Sequence, residues 1–386
     1  MPAGINLTKA ILITYPEDQA VKEAISLADA AHYSVAKIVT QKHITKSKYG
    51  IGAGKAQEVK EMVETVKPEV IIFDEVLKPT QMYNLASLCK VGVIDRERLI
   101  LDIFEKRAST AESRTQIKLA QLRYEMARAR EKVRLAKRGE QPGFFGLGKY
   151  QADVYFLDIK RRASILKKKL ESEETRRRLY RIHRTKEGLP TISLAGYTSA
   201  GKTTLFNTLV NESKATGQGV FTTLSTSTRS VNFNGKRALL LDTVGFISKL
   251  PAYMIDAFKS TLDELAYADL VLLVLDASES VEEISRKLAS SLQVINEFEV
   301  PETRIIYLLN KVDLISAEDA LEKAATAGIV ISKRVLPISA KTGFNIESLK
   351  RFVSAMVFEN PRPHGVQSDA HRCTYTEQQP AGQESV

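Results

Sequence analysis

The sequence predicts an α/β protein: a doubly wound sheet over residues 189–357, preceded by a small parallel α/β unit over 1–105 and a long antiparallel helical hairpin over 106–188. Three observations carry that prediction. Short apolar runs alternate with helical patterns in the first and third parts, as parallel sheets covered by helices require. Between them, apolar residues recur in steps of three and four over two long stretches. Lastly, a glycine-rich run, Gly196–Thr203, lies between an apolar strand and a helix, where a doubly wound sheet gathers its ligands.

In the first unit, strands are expected at Ala10–Thr14, Ser34–Val39, Val70–Phe73 and Val91–Ile94, with helices near 17–31, 54–66, 80–89 and 97–107. Gly50–Lys55 looks like half a phosphate loop. It lacks the four-residue spacing, a Ser or Thr after the lysine, and a clear preceding strand. A Gly-rich loop opening a helix is therefore the better reading than a second nucleotide site.

The hairpin follows. Leu119, Leu122, Met126, Ala129, Val133 and Ala136 form one narrow seam, and Ile159, Ala163, Leu166 and Leu170 another, with a Gly/Pro-rich break at Gly139–Gly148. A first helix running from about 107 to 138 would be roughly 50 Å long at 1.5 Å per residue. Between Arg107 and Arg184 stand 22 Lys and Arg against 9 Asp and Glu, a local +13 in a chain of net charge +10, which leaves −3 elsewhere. The excess concentrates in Lys160, Arg161, Arg162 and Lys167, Lys168, Lys169, with Arg176–Arg178 beyond. Mixed pairs such as Glu131 and Arg134 fit a solvated face, but the imbalance favours contact with a polyanion, nucleic acid above all. A weak contact with an anionic membrane is the lesser alternative, because the apolar seam is too narrow to insert. Phe144 and Phe145 at the tip either pack locally or stack on a partner's bases.

At 386 residues and 44% hydrophobic, the chain has room for two or three cores. It has no apolar run of about 20 residues and no basic-then-apolar leader. Cys89 and Cys373 are far apart and outside any metal-ligand spacing, so no disulfide and no stable metal cluster are expected; a monomer in the cytoplasm is. Residues 358–386 are polar, contain Pro361, Pro363 and Pro380, and read as a flexible tail.

The chemistry lies in residues 189–357, where strands are expected at 191–195, 229–233, 237–242, 270–275, 304–309 and 335–338, with helices between them. Gly196, Tyr197, Thr198, Ser199, Ala200, Gly201, Lys202 and Thr203 fit G-x-x-x-x-G-K-[ST], with Thr204 opening the helix. Glycines let backbone N–H groups turn inward, and the helix N-terminus adds positive charge for a phosphate. Lys202 would reach the β- and γ-phosphates and Thr203 would ligate Mg2+. Asp242, Thr243, Val244 and Gly245 close a run of leucines with D-x-x-G: Asp242 suits an outer-sphere hold on Mg2+, the Gly245 N–H the γ-phosphate. Asn310, Lys311 and Asp313 close another strand with N-K-x-D. A carboxylate at Asp313 accepts from guanine N1–H and the 2-amino group; adenine offers neither, so the ligand is GTP or GDP. Asn310 and the Lys311 stem would brace the loop and cover the base, and Ser339, Ala340 and Lys341 would cap the guanine oxygen. Phe221, Thr222, Thr223 and Leu224 occupy the place of a switch segment, Thr223 before Thr222 being the choice to complete the Mg2+ shell. The position after Gly245 is Phe246, which cannot orient a water as glutamine can. Slow hydrolysis, accelerated by a partner that orders the switches, is expected. An RNA-binding scaffold whose conformation GTP sets is the alternative.

With these motifs the chain resembles the HflX family of translation-factor-related P-loop GTPases. The resemblance rests on Gly196–Asn207, Phe221–Leu224, Asp242–Ile247 and Ser260–Glu264, and in the first unit on Gly54–Glu58, Asp95-Arg96 and Leu99–Phe104. It spans about residues 5–357. It implies a GTP-hydrolysing protein that associates with the large ribosomal subunit and its RNA, in ribosome rescue, splitting or assembly. Two positions depart from the family pattern. Ser199 stands where Asn is usual, which puts potassium-assisted hydrolysis in doubt, and the tip Gly143–Gln151 lacks the usual arginine and acid.

Overall fold

The computed structural model describes residues 7–43, 47–108, 110–137, 149–186, 188–210, 227–243, 245–247, 254 and 262–359. Its first sheet consists of β1 (Thr8–Thr14), β2 (Tyr33–Thr40), β3 (Val70–Phe73) and β4 (Gly92–Asp95), all parallel, in the order β2-β1-β3-β4. Side chains alternate across a strand, so each face needs its own cover. Ile11, Ile13, Ile71 and Phe73 pack with Ala56, Val59 and Leu85 of α2 (Ala53–Val66) and α3 (Pro79–Cys89). Ala10, Leu12 and Ile72 pack with Leu27, Leu99, Ile103 and Phe104 of α1 (Asp18–Ala30) and α4 (Arg96–Arg107).

The expected helix from 107 to 138 is divided at its start. Ala108 is extended, and α5 (Ala111–Lys137) begins on a reciprocal cap in which the Ser113 N–H donates to Thr110 Oγ1 at 3.1 Å and the Thr110 N–H to Ser113 Oγ at 3.2 Å. Two hydroxyl residues three apart satisfy the orphan N–H groups that a continuous helix would not have. Ile117, Ala120 and Tyr124 of α5 join the core beside α4. Tyr124 Oη donates to Asp95 Oδ1 at 2.9 Å, and Arg128, stacked 4.0 Å from the Tyr124 ring, pairs with the other oxygen of this fully buried aspartate. Helix α6 (Lys149–Lys186) packs on α5 through Leu122, Met126, Ala129, Tyr155, Phe156, Ile159 and Ala163. Phe144, Phe145 and the tail from 360 lie outside the described residues.

The second sheet has the order β10-β9-β8-β5-β7-β6, from β5 (Thr191–Ala195), β6 (Ser227–Phe233), β7 (Lys236–Asp242), β8 (Leu270–Asp276), β9 (Ile305–Asn310) and β10 (Val335–Pro337). Five strands are parallel, and β6 is antiparallel to β7. β6 and β7 are joined directly, as the short gap between the expected strands 229–233 and 237–242 requires. Asn234 and Gly235, at φ 52° and 84°, make a two-residue turn, the backbone twist that tight hairpins favour. One face is covered by α7 (Lys202–Val210) and α10 (Ile346–Ser354), the other by residues 262–267, α8 (Val281–Glu297) and α9 (Ala317–Thr326). The chain leaves β5 for β7 on one side and returns to β8 on the other, so a crevice opens at the carboxyl end of β5.

Candidate nucleotide site

Residues 196–203 bridge β5 and α7 at that crevice. Gly196 has φ 136°, and a Cβ there would lie 2.3 Å from the Val274 carbonyl oxygen. At Gly201 (φ 98°) a Cβ would lie 2.2 Å from Asn310 Nδ2. Ser199 also takes a left-handed conformation, at φ 62°. A backbone that alternates hand in this way turns its N–H groups into a concavity suited to anions.

Lys202 is buried and donates to the Gly196 and Tyr197 carbonyls at 2.9 and 2.7 Å. Burial lowers its ammonium to about 8, against the raising influence of Asp242. Thr203 Oγ1 donates to Asp242 Oδ2 at 3.1 Å, which joins the start of α7 to the end of β7. Thr243 donates to the Leu194 carbonyl at 2.6 Å, and Thr204 lies in the first turn of α7. Gly245 runs so close that a Cβ would meet Thr198 Cγ2 at 2.8 Å and Lys202 Nζ at 3.0 Å. Phe246 pairs with the loop: its N–H donates to the Gly196 carbonyl at 3.1 Å, and its carbonyl accepts from Thr198 N–H at 2.8 Å.

On the base side, Asn310 is a buried brace. Its Nδ2 donates to the Ala200 carbonyl at 2.8 Å, and its Oδ1 accepts from Ala340 N–H at 2.9 Å. The Ala340 N–H expected at the guanine oxygen is thus engaged by Asn310, because a buried amide must satisfy both ends. Lys311 (φ 71°) reaches Asp276 with its ammonium at 2.5 Å. Asp313 stays exposed, and the Ser339 hydroxyl, donating at 2.7 Å, holds its carboxyl below the usual range. Lys341 is exposed at the same rim.

Phe221, Thr222, Thr223, Leu224 and Val244 lie outside the described residues. Sequence reasoning missed Asp276, although it ends the apolar strand Leu270–Asp276 just as Asp242 and Asn310 end theirs. It also missed Thr208, whose hydroxyl ties α7 to the Ala340 carbonyl at 2.7 Å. Lys160, Arg161, Arg162, Lys167, Lys168 and Lys169 are all exposed on α6. Among the described residues no group of three His, Cys, Asp or Glu could hold a metal, and no helix is long and apolar enough to cross a membrane.

Family models cover the chain in three blocks: a GTP-binding GTPase N-terminal region at 18–105, a GTP-binding GTPase middle region at 107–184, and a 50S ribosome-binding GTPase at 191–311. The GTPase HflX of Thermococcus kodakarensis is 41% identical over 343 residues, covering 87% of this chain and 77% of that one. That of Methanocaldococcus jannaschii is 41% identical over 335 residues, covering 87% and 82%. The chain belongs to the HflX family of GTPases. Its reaction is hydrolysis of GTP to GDP and phosphate. Two solved structures are similar to this chain over most of its length. SsGBP with GDP is 29% identical, with a TM-score of 0.53 over 91% of this chain and 99% of that one. A GTP-binding protein from Sulfolobus solfataricus with GDP is 28% identical, with a TM-score of 0.50 over 90% and 98%.

Proposed function

We propose that this GTPase is cytoplasmic and monomeric, that it uses Mg2+, and that it joins the large ribosomal subunit in rescue, splitting or assembly. The domain division we propose is 1–105, 106–188, 189–357 and a tail from 358 to 386. The observation that carries the ribosomal reading is on α6. Lys160–Arg162 and Lys167–Lys169 are exposed and offset by seven residues, about two helical turns, so their cations line up in adjoining rows. Asp158 pairs with Arg162 and Glu171 with Lys167, leaving the face strongly basic. Such a surface draws a phosphate backbone.

The Thr203 hydroxyl and Asp242 carboxylate are hard oxygen donors beside the buried Lys202, a set that fits Mg2+. Thr203 would ligate it, Asp242 would hold it through water, and Thr223 would complete the shell. Bound there, the ion supplies charge stabilisation to the phosphate oxygens. The chain's own residues do the rest: the loop N–H groups and Lys202 orient the phosphates, Asn310 fixes the base loop against the phosphate loop, and Asp313 selects guanine. Phe246 cannot position water, so hydrolysis is slow until a partner rearranges Gly245 and its neighbours.

The test is GTP turnover with and without large ribosomal subunits, repeated with all six cations neutralised. Stimulation that the variant loses supports the reading; no stimulation by subunits at any salt concentration overturns it.

A further inference from the structure

Ligands of a doubly wound sheet collect where the strand order reverses, and in the first sheet that point is filled by the protein itself. There, at the carboxyl ends of β1, β3 and β4, the Thr14 hydroxyl donates to Asp74 Oδ2 at 2.7 Å, and Arg96 pairs with Asp74 Oδ1 and with Glu23 Oε1, both at 2.5 Å. Arg96 is buried, and the Glu23 side chain is 16% exposed. The other Glu23 oxygen points to the second sheet. It accepts from Tyr197 Oη at 3.3 Å and lies 3.5 Å from Arg286 Nη2. Arg286, held bidentately by Glu283, and Lys287 stand 5.7 and 5.0 Å from the Tyr197 ring.

Tyr197 is the second residue of the phosphate loop, and its side chain is directed at this outer network instead of the nucleotide crevice. Its backbone faces the chemistry: its carbonyl takes one of the Lys202 hydrogen bonds, and the next N–H, of Thr198, holds Phe246. The loop has left-handed backbone at three positions, one of them Ser199, and such conformations persist only where their surroundings over-determine them. A tyrosine whose ring is clasped by two cations and whose hydroxyl meets a carboxylate is such an anchor.

We propose that Glu23 is a positioning residue for the nucleotide site: from the first sheet it holds Tyr197 Oη, and through the Tyr197 backbone it keeps the phosphate loop in its binding shape. The bland alternative is that Tyr197 only fills space, since it belongs to the apolar cluster running through both sheets. Tyr197→Phe separates the two, because it keeps the ring and removes only the hydroxyl. The proposal needs the nucleotide site but not the ribosomal partner, so either can fail alone.

The experiment is release of fluorescent GDP from full-length wild type, Tyr197→Phe, Glu23→Ala and the double variant, with melting temperatures taken with and without saturating GDP. Losing this long, 3.3 Å hydrogen bond, at the net strength of an ordinary one, should speed release about three- to tenfold in each single variant. The double variant should be no faster than the faster single, the mark of two groups acting through one contact. Stabilisation by GDP should shrink in step, because ligand stabilisation follows affinity. Release unchanged in Tyr197→Phe, or single effects that multiply in the double variant, overturns the proposal. Should Glu23→Ala fail to fold, Glu23→Gln, which keeps the side chain's shape and removes the charge that meets Tyr197 Oη, is read in the same way.

Discussion

Two glycine-rich turns in this chain both open a helix and both contain a lysine, yet they differ in every property that matters to an anion. In the first, Gly50 at φ 80° lets the backbone press on Leu77 and Phe73, where a Cβ would meet side-chain atoms at 2.6 and 2.8 Å. Ile51 is wholly buried, and Lys55 turns outward to pair with Glu58 at 2.8 Å. In the second, the glycines press on the Val274 carbonyl and Asn310, and the lysine is buried with its ammonium turned to the loop's own carbonyls. The first turn follows β2, an edge strand; the second follows β5, flanked on both sides. Location at a reversal of strand order, more than glycine content, separates a packing turn from a phosphate cradle.

The strongest way to break this comparison is a methyl group in each turn. Gly196→Ala, at φ 136° and against a carbonyl, is expected to weaken GDP binding by more than about a hundredfold, measured by titration calorimetry. Asp313→Asn tests the base side. Guanine binding should drop on the order of a hundredfold while xanthine nucleotides gain, because the amide can donate to the xanthine 2-carbonyl; equal loss of both would refute the assignment.

A third test uses the buried lysine. With the Lys202 ammonium lowered by burial to about 8, the ligand-free protein gives up that proton above pH 8, and phosphate binding must restore it. The dissociation constant for GDP should be flat below pH 8 and rise about tenfold by pH 9. The unfolded chain keeps the proton to about pH 10.4, so ligand-free stability should rise with pH over the same window. Lys202→Ala should abolish both slopes. The smallest effect is expected at Gly54, in helix α2 with nothing within 4 Å of a Cβ: Gly54→Ala should stabilise by about 0.4–1 kcal/mol in urea unfolding and leave GDP binding unchanged.

Both sheets were legible because strands buried on two faces must be continuous apolar runs, as Val70–Phe73 and Leu270–Asp276 are. The motif strands were legible for the same reason, each ending in a polar residue at its carboxyl end. The two strands of the hairpin at Asn234-Gly235 were legible too, since 229–233 and 237–242 leave too few residues between them for a helix; their antiparallel pairing follows from that short turn. Less could be read of the braces. That Asn310 would take the Ala340 N–H depends on how closely two loops approach, which spacing does not specify. The Glu23–Tyr197 contact joins residues with no shared pattern and lies beyond any local signal.

That contact spans 174 positions of chain, against 60 for the Thr14–Asp74 bond within the first sheet. Closing a loop costs about (3/2)RT ln n, which for the longer one must be met before any distant neighbour rewards it. The first sheet is also made earlier during synthesis, and domains generally fold as they emerge. The expected order is therefore two separately folded sheets and then their seam, so the phosphate loop acquires its outer anchor last. On refolding, capture of fluorescent GDP should lag behind the recovery of helical signal, and capture that keeps pace with it would place the seam earlier.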